Sequence, residues 1–383
     1  MNSTLPLNRR AWLQRGGTAL AGLALGARFL DSDLCAQTVS PERLAAAGPS
    51  KARLSLNENP LGPAPSALAA MTSALQSGKA ARYPYLEVGE LAEAIAAKEG
   101  VPVDHIVLAV GSGEILETLG VHFGLAKKAV VRGDPGYLQM SAAAKAVGGR
   151  DVPVAVNARL EHDLDAMLAQ VGADTGVVYL ANPNNPTGTV VPSAQIRDFV
   201  HQVGRKALVV VDEAYLDIAD DYAGRTVVDL VRKGENVIVL RTFSKIYGLA
   251  GLRVGYGVAA PALVSLIKSY GGGSLSYLGV AAALASLRET GYVLAARERL
   301  VAERAKLTDA LKALGLRYAE PQANFVFFRT GRPYADVAGR FRADGVAIAR
   351  AFPPLLDWVR VSIGTPEENT LARDSLRGIF AQS

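Results

Sequence analysis

From position 105 to position 259 the apolar residues fall in short unbroken runs instead of alternating with polar ones. HIVLAV (105–110), AVVRGD (129–134), DVPVAV (151–156), GVVYLAN (176–182), ALVVVDEAY (207–215), NVIVLRT (236–242) and VGYGVA (254–259) are rich in Val and Ile. Most are separated by enough residues for a helix. Strands buried on both faces read this way, so the pattern predicts seven strands in a mostly parallel sheet covered by helices. That is a large α/β domain. Ahead of it, residues 41–66 are rich in Pro, Gly, Asn and Ser and read as an extended arm with one short helix. Helical patterns follow at Ala67–Gln76 and Leu91–Glu99. After about Pro261 the rhythm turns helical, with a long amphipathic stretch, VLAARERLVAERAKLTDALKALG, ending at Gly315. The strand-like FVFFRT and VRVSIG come after it, and predict a smaller α+β domain. The expected division is 1–36, an export signal; 37–80, an arm serving the small domain and a dimer; 81–260, the large domain; and 261–383, the small one.

In open α/β sheets ligands bind outside the carboxyl ends of the strands. The residues at those ends therefore matter most. Gly111-Ser112-Gly113-Glu114 follows the first run, Asp134-Pro135-Gly136-Tyr137 the second, and NPNNPTG (182–188) the fourth. Asp212-Glu213-Ala214-Tyr215 ends the fifth, and Thr242-Phe243-Ser244-Lys245 follows the sixth. Singly, each has an ordinary reading: a loop lysine, a helix N-cap, a glycine turn, a loop with good turn chemistry. Jointly they supply an amine to condense with an aldehyde, an acid to keep a pyridine nitrogen protonated, and a phosphate anchor. Those are the needs of pyridoxal phosphate. Lys245 is the amine. Asp212 pairs with the ring nitrogen, and Asn185 and Tyr215 reach the ring's phenolate oxygen. Ser112 and Gly113 open a helix whose free amides hold a phosphate. Ser244 and Arg253 add a hydroxyl and a forked cation. Tyr137 stacks on the ring, and Arg360 in VRVSIGT grips a substrate carboxylate.

Charge adds little to this picture. The net charge of +5 is spread along the chain, with no basic block interleaved with aromatics, so nucleic acid is not the expected partner. No metal-ligand spacing is evident. The amino terminus is more informative. Arg9 and Arg10 precede an apolar stretch from Thr18 to about Leu25, and Ala36 suits a cleavage site. The stretch is too short to span a bilayer, and no other run is long enough. The order of features is that of an export signal resembling the twin-arginine class, and predicts a periplasmic or exported protein, or a cytoplasmic one if the signal is unused. Cys35, the single cysteine, falls inside this segment.

Residues SLNENPLGP (55–63), RYP (82–84), NPNNPTG, DEAY, TFSKIYGLAGLRVGY (242–256) and VRVSIGT (359–365) carry a resemblance. From about Leu54 to Ile363 the chain resembles the fold-type I pyridoxal phosphate aminotransferases of class I/II, most closely the histidinol-phosphate aminotransferase branch. The resemblance implies a homodimer with the site at its interface. In it Tyr83 reaches the neighbour's cofactor phosphate, Asn57 lies on an arm over the substrate, and Arg350 helps bind a distal anion. It implies amino transfer from an amino acid or amino alcohol phosphate to a 2-oxo acid such as 2-oxoglutarate. The chain departs from the branch at Gly113 and at the glycine-rich GGGSLSYLG (271–279), which leaves the donor open. A decarboxylase or lyase of the same fold, and a non-catalytic cofactor-binding protein, are the alternatives.

Overall fold

The computed structural model describes residues 50–380. The expected export segment with Cys35, and the start of the expected arm, lie outside them. A short strand, β1 (Ala52–Leu54), opens the described chain. All seven apolar runs then form strands of one sheet: β2 (Ile106–Ala109), β3 (Ala129–Asp134), β4 (Arg150–Ala155), β5 (Thr175–Ala181), β6 (Leu208–Asp212), β7 (Val237–Thr242) and β8 (Gly255–Val258). Their order is β2-β8-β7-β6-β5-β3-β4. Only β8 runs against its neighbours. The pairs from β7 through β4 are all parallel.

Every residue of β5, β6 and β7 is buried, which is why these strands read as continuous apolar runs. Successive residues feed two separate cores. Val131, Val178, Val209 and Val239 pack in one. Val130, Val177, Tyr179, Val210 and Ile238 pack in the other. The sheet is thus covered on both faces. Pro153 lies within β4, an edge strand, where a missing N–H leaves no ladder bond broken.

The helix expected at Ala67–Gln76 starts two residues earlier, at Pro65, and the one expected at Leu91–Glu99 differs more. It runs from Tyr85, not Leu91, to Glu99. Its first residues include Tyr85 and Leu86, both largely exposed, so they carry no inward periodicity to read. The long helix spans Thr290–Ala313. Gly315 stops it at φ 67, with its N–H and that of Leu316 closing back on the last turn.

Beyond the large sheet, β9 (Phe325–Arg329) and β11 (Trp358–Ser362) pair antiparallel. Strand β10 (Val346–Ile348) pairs in parallel with β1. The first described strand is therefore tied to the last third of the chain. No helix among the described residues is long and apolar enough to cross a membrane.

Candidate active site

Strand β2 leads into the helix Ser112–Leu125 through Gly111, whose φ of 79 suits glycine. A Cβ on Gly111 would lie 2.2 Å from the Arg253 guanidinium, so glycine here lets Arg253 cross the helix N-terminus. Gly255 does the same from the other side. Its Cβ would lie 2.2 Å from the Ser112 amide nitrogen. Arg253 donates from Nη1 to Ser244 Oγ at 3.3 Å and to the Ala250 carbonyl at 3.1 Å. Thr242 Oγ1 accepts from the Ser244 N–H at 3.1 Å and donates to Ser244 Oγ at 2.9 Å. Ser112, Gly113, Ser244 and Arg253 thus gather where the helix dipole and free amides favour an anion. Gly113 is also closely packed, since a Cβ there would meet the Gln139 side chain at 2.7 Å. That side chain accepts a hydrogen bond from the Tyr137 hydroxyl at 2.8 Å.

Asp212 ends β6, and Lys245 follows β7, the adjacent parallel strand. Asp212 is 6% exposed. Its carboxylate accepts from the Tyr179 hydroxyl at 2.9 Å and from the Ala214 N–H at 3.1 Å. Burial pushes its carboxyl up to about 6, against the pull of those two donors and of the nearby Lys245 ammonium. Lys245 is half-buried as a residue, and its Nζ lies 5.3 Å from the Tyr215 ring centroid and 3.5 Å from the Leu56 carbonyl.

Tyr215 is buried, with its ring edge on Phe325 at 5.2 Å between centroids. Its hydroxyl accepts from Asn57 Nδ2 at 3.0 Å. Asn57 is itself buried at φ 57 and exchanges two hydrogen bonds with Ser362, at 3.0 and 2.7 Å. Arg360, on β11, donates to the Asn185 side-chain oxygen and to the Ser55 carbonyl, the latter at 2.7 Å. Its guanidinium lies over Phe325 and Phe352, and its Nε has no partner. Burial lowers it to about 10; Tyr215 raises it and Arg350 lowers it further. Arg350 is exposed and shares the Phe352 ring, 4.7 Å from its centroid. Two guanidiniums therefore share one apolar ring.

The chain brings Lys245, Asp212, Tyr215, Asn185, Asn57 and Arg360 together, with Ser112, Gly113, Ser244 and Arg253 at the helix end and Arg350 at the rim. Tyr83 is not among them. It is 73% exposed and stacks on Tyr85 at 5.6 Å between centroids. Sequence reading missed Tyr179, Ser362, Ser55 and the carbonyl of Leu56. Tyr179 was the detectable one, as a hydroxyl flanked by apolar residues in a central strand.

Behind this face sits a second polar cluster. Glu213 and Arg241, adjacent to Asp212 and Thr242 but on the opposite side of the strands, form a buried ion pair at 2.7 Å. Glu213 also accepts from Thr226 and from the Val227 N–H, and Arg241 lies 3.7 Å from Glu99.

The donor set fits pyridoxal phosphate. The helix end and Arg253 suit its phosphate, and the amine of half-buried Lys245 suits its aldehyde. Asp212 receives only neutral hydrogen bonds, and burial keeps its carboxyl raised, as suits a carboxylate awaiting a cationic ring nitrogen. Tyr215 accepts from Asn57, which frees its own hydrogen for an oxygen in the pocket.

The family described as Aminotransferase class I and II matches residues 49–376. A histidinol-phosphate aminotransferase of Limosilactobacillus fermentum is 38% identical, over 84% of this chain and 88% of its own. An aromatic amino acid aminotransferase of Streptomyces coelicolor is 36% identical, over 87% and 92%. Among solved structures, histidinol-phosphate aminotransferase from Sinorhizobium meliloti, in complex with pyridoxal-5'-phosphate, superposes with a TM-score of 0.80 at 32% identity, covering 90% of this chain and 95% of that one. With this fold and this donor set, the chain belongs to the class I and II aminotransferases, a pyridoxal phosphate-dependent enzyme of fold type I.

Proposed function

We propose that the protein moves an amino group from a donor carrying an anionic tail to a 2-oxo acid such as 2-oxoglutarate. The preferred donor is a phosphorylated amino alcohol of the histidinol phosphate kind. The observation that carries the chemistry is the placement of Asp212 and Lys245 at the ends of adjacent strands, close enough to feel one another's charge. The substrate reading is supported by the paired cations. Arg350 lies close enough to Arg360 to help depress it, so the pocket suits two negative groups or one doubly charged one. The two histidinol-phosphate aminotransferases named above point the same way, and the aromatic amino acid aminotransferase points to an aromatic donor instead.

Bound pyridoxal phosphate supplies the aldehyde and the electron sink. Asp212 would pair with the ring nitrogen and keep its proton there. Lys245 would hold the cofactor's aldehyde, and its Nζ would serve as the base and then the acid that moves the donor's α-proton. Tyr215, oriented by Asn57, would donate its hydroxyl hydrogen to the cofactor's ring oxygen, which Asn185 would also serve. Arg360 holds a carboxylate in place. Ser55, Leu56 and Asn57 roof the site, since Arg360, Lys245 and Tyr215 each bond to one of them. In this reading Asn57 positions Tyr215 and excludes water, and does not itself grip substrate.

The exposed Tyr83, Tyr85 and Leu86 support a homodimer in which Tyr83 serves the neighbouring site. The twin arginines Arg9 and Arg10 support export of the folded protein. The deciding experiment mixes cofactor-loaded protein with candidate donors and no acceptor. One equivalent of 2-oxo product per site, with ping-pong kinetics once an acceptor is added, is expected. Continuous release of product without an acceptor would mean a lyase or decarboxylase instead.

A further inference from the structure

Tyr179 places a hydroxyl in the interior of β5, between Val178 and Leu180. It is 2% exposed. In the β5–β6 register Tyr179 lies opposite Val210, and Ala181 opposite Asp212. Tyr179 and Asp212 are therefore diagonal neighbours on the same face of the sheet, near enough for side chains to meet. The phenol does meet Asp212, at 2.9 Å from Oδ2. We propose that Tyr179 is a positioning residue that sets how strongly Asp212 holds the ring nitrogen of the cofactor.

The inference rests on the reading of Asp212 given above and deepens it. With Oδ1 taken by the Ala214 N–H and Oδ2 by Tyr179, the carboxylate plane cannot swing. Each oxygen keeps a lone pair that these two bonds do not use. The groups that bear on this pair are Lys245 beyond β7, Tyr215 beyond β6 and Tyr137 beyond β3. Lys245 favours the ionised carboxylate. Burial and the negative charge of Asp212 push the Tyr179 hydroxyl well above its ordinary value, so it stays a donor throughout the working range of pH. A water in its place would exchange and reorient. Tyr179 is a fixed dipole that favours the ionised acid, and an ionised acid is what a cationic ring nitrogen needs opposite it.

The test is a double-mutant cycle on the dissociation constant of pyridoxal phosphate, with the wild type, Tyr179→Phe, Asp212→Asn and the double variant. The pH midpoint of the bound cofactor's absorbance is read in the same samples. A hydrogen bond to a charged group predicts that Tyr179→Phe weakens binding roughly 10- to 100-fold and shifts the midpoint. In the Asp212→Asn background the same change should cost no more than about 3-fold, because no charge is left to support. Equal losses in both backgrounds would make Tyr179 a packing residue and overturn the proposal. So would a Tyr179→Phe variant that binds like wild type while Asp212→Asn does not. If Asp212→Asn itself binds normally, the role of Asp212 falls first, a separately visible result. Should the Phe variant fail to fold, Tyr179→Gln, still a donor, is compared with Tyr179→Leu; the proposal requires Gln to bind the cofactor more tightly.

Discussion

The buried carboxyl of Asp212 carries a cost that the cofactor-free protein must bear. Its folded value of about 6 stands above the ordinary 3.8, so folding favours the protonated form. The sign follows from linkage. Below the unfolded value both states are protonated and nothing is lost. As pH rises from there to about 6 the unfolded chain ionises first, and stability drains away until the folded carboxyl ionises too. With a shift of about two units at roughly 1.4 kcal/mol each, the full loss is about 3 kcal/mol above neutrality and about half that near pH 5. Asp212→Asn removes the charge and keeps the shape. The cofactor-free variant should therefore be more stable than the wild type, with an advantage that grows by about 1–2 kcal/mol between roughly pH 5 and pH 7.5. The rearranged bonds to Tyr179 and Ala214 lower the advantage by about 1 kcal/mol, but equally at every pH. Urea unfolding of both proteins, stripped of cofactor and held at one concentration, measures the slope. With pyridoxal phosphate added, the order should reverse, because only the wild type gains a charged partner. A flat difference between the two proteins across that range would refute the reasoning.

Other outcomes follow from the same geometry. Lys245→Ala should abolish the absorbance of the lysine-linked cofactor and lower kcat by at least about 10²- to 10⁴-fold, the usual share of a positioned base; near-normal turnover would remove Lys245 from its role. Arg360→Lys should raise KM about 10-fold or more, since an ammonium cannot reproduce the forked contact; steady-state kinetics with 2-oxoglutarate report it. Gly255→Ala forces a Cβ against the Ser112 amide nitrogen and should weaken binding of both pyridoxal phosphate and inorganic phosphate, with folding judged by circular dichroism. Arg241→Met leaves Glu213 buried without its cation and should cost about 3–5 kcal/mol of stability, measured by denaturant unfolding.

The sheet was legible because its central strands are buried on both sides, and burial on both sides leaves unbroken apolar runs in the sequence. The strand-end residues Asp212, Lys245, Ser112 and Asn185 were legible for the same reason: polar groups at the end of such a run have one place to go. Tyr85 and Leu86 were not read as helical because they face outward, and an exposed apolar residue carries no periodic signal. Ser362 and Asn57 meet across a sequence separation of 305 residues, and nothing local to either predicts the pairing. Tyr179 escaped notice because tyrosine is an ordinary strand former, and only the register of β5 against β6 shows what its hydroxyl meets.

The pairing of β1 with β10 has a bearing on when the pocket can exist at all. Leu54 lies beside Ile348, and the next three residues form the lid over the lysine. A ribosome making this chain delivers the lid near the start and its mooring near the end. Until the mooring emerges, the large sheet and its helix-end anion cradle can assemble, yet the amine stands open to water. A closed chamber over the amine therefore waits for synthesis to pass the tenth strand.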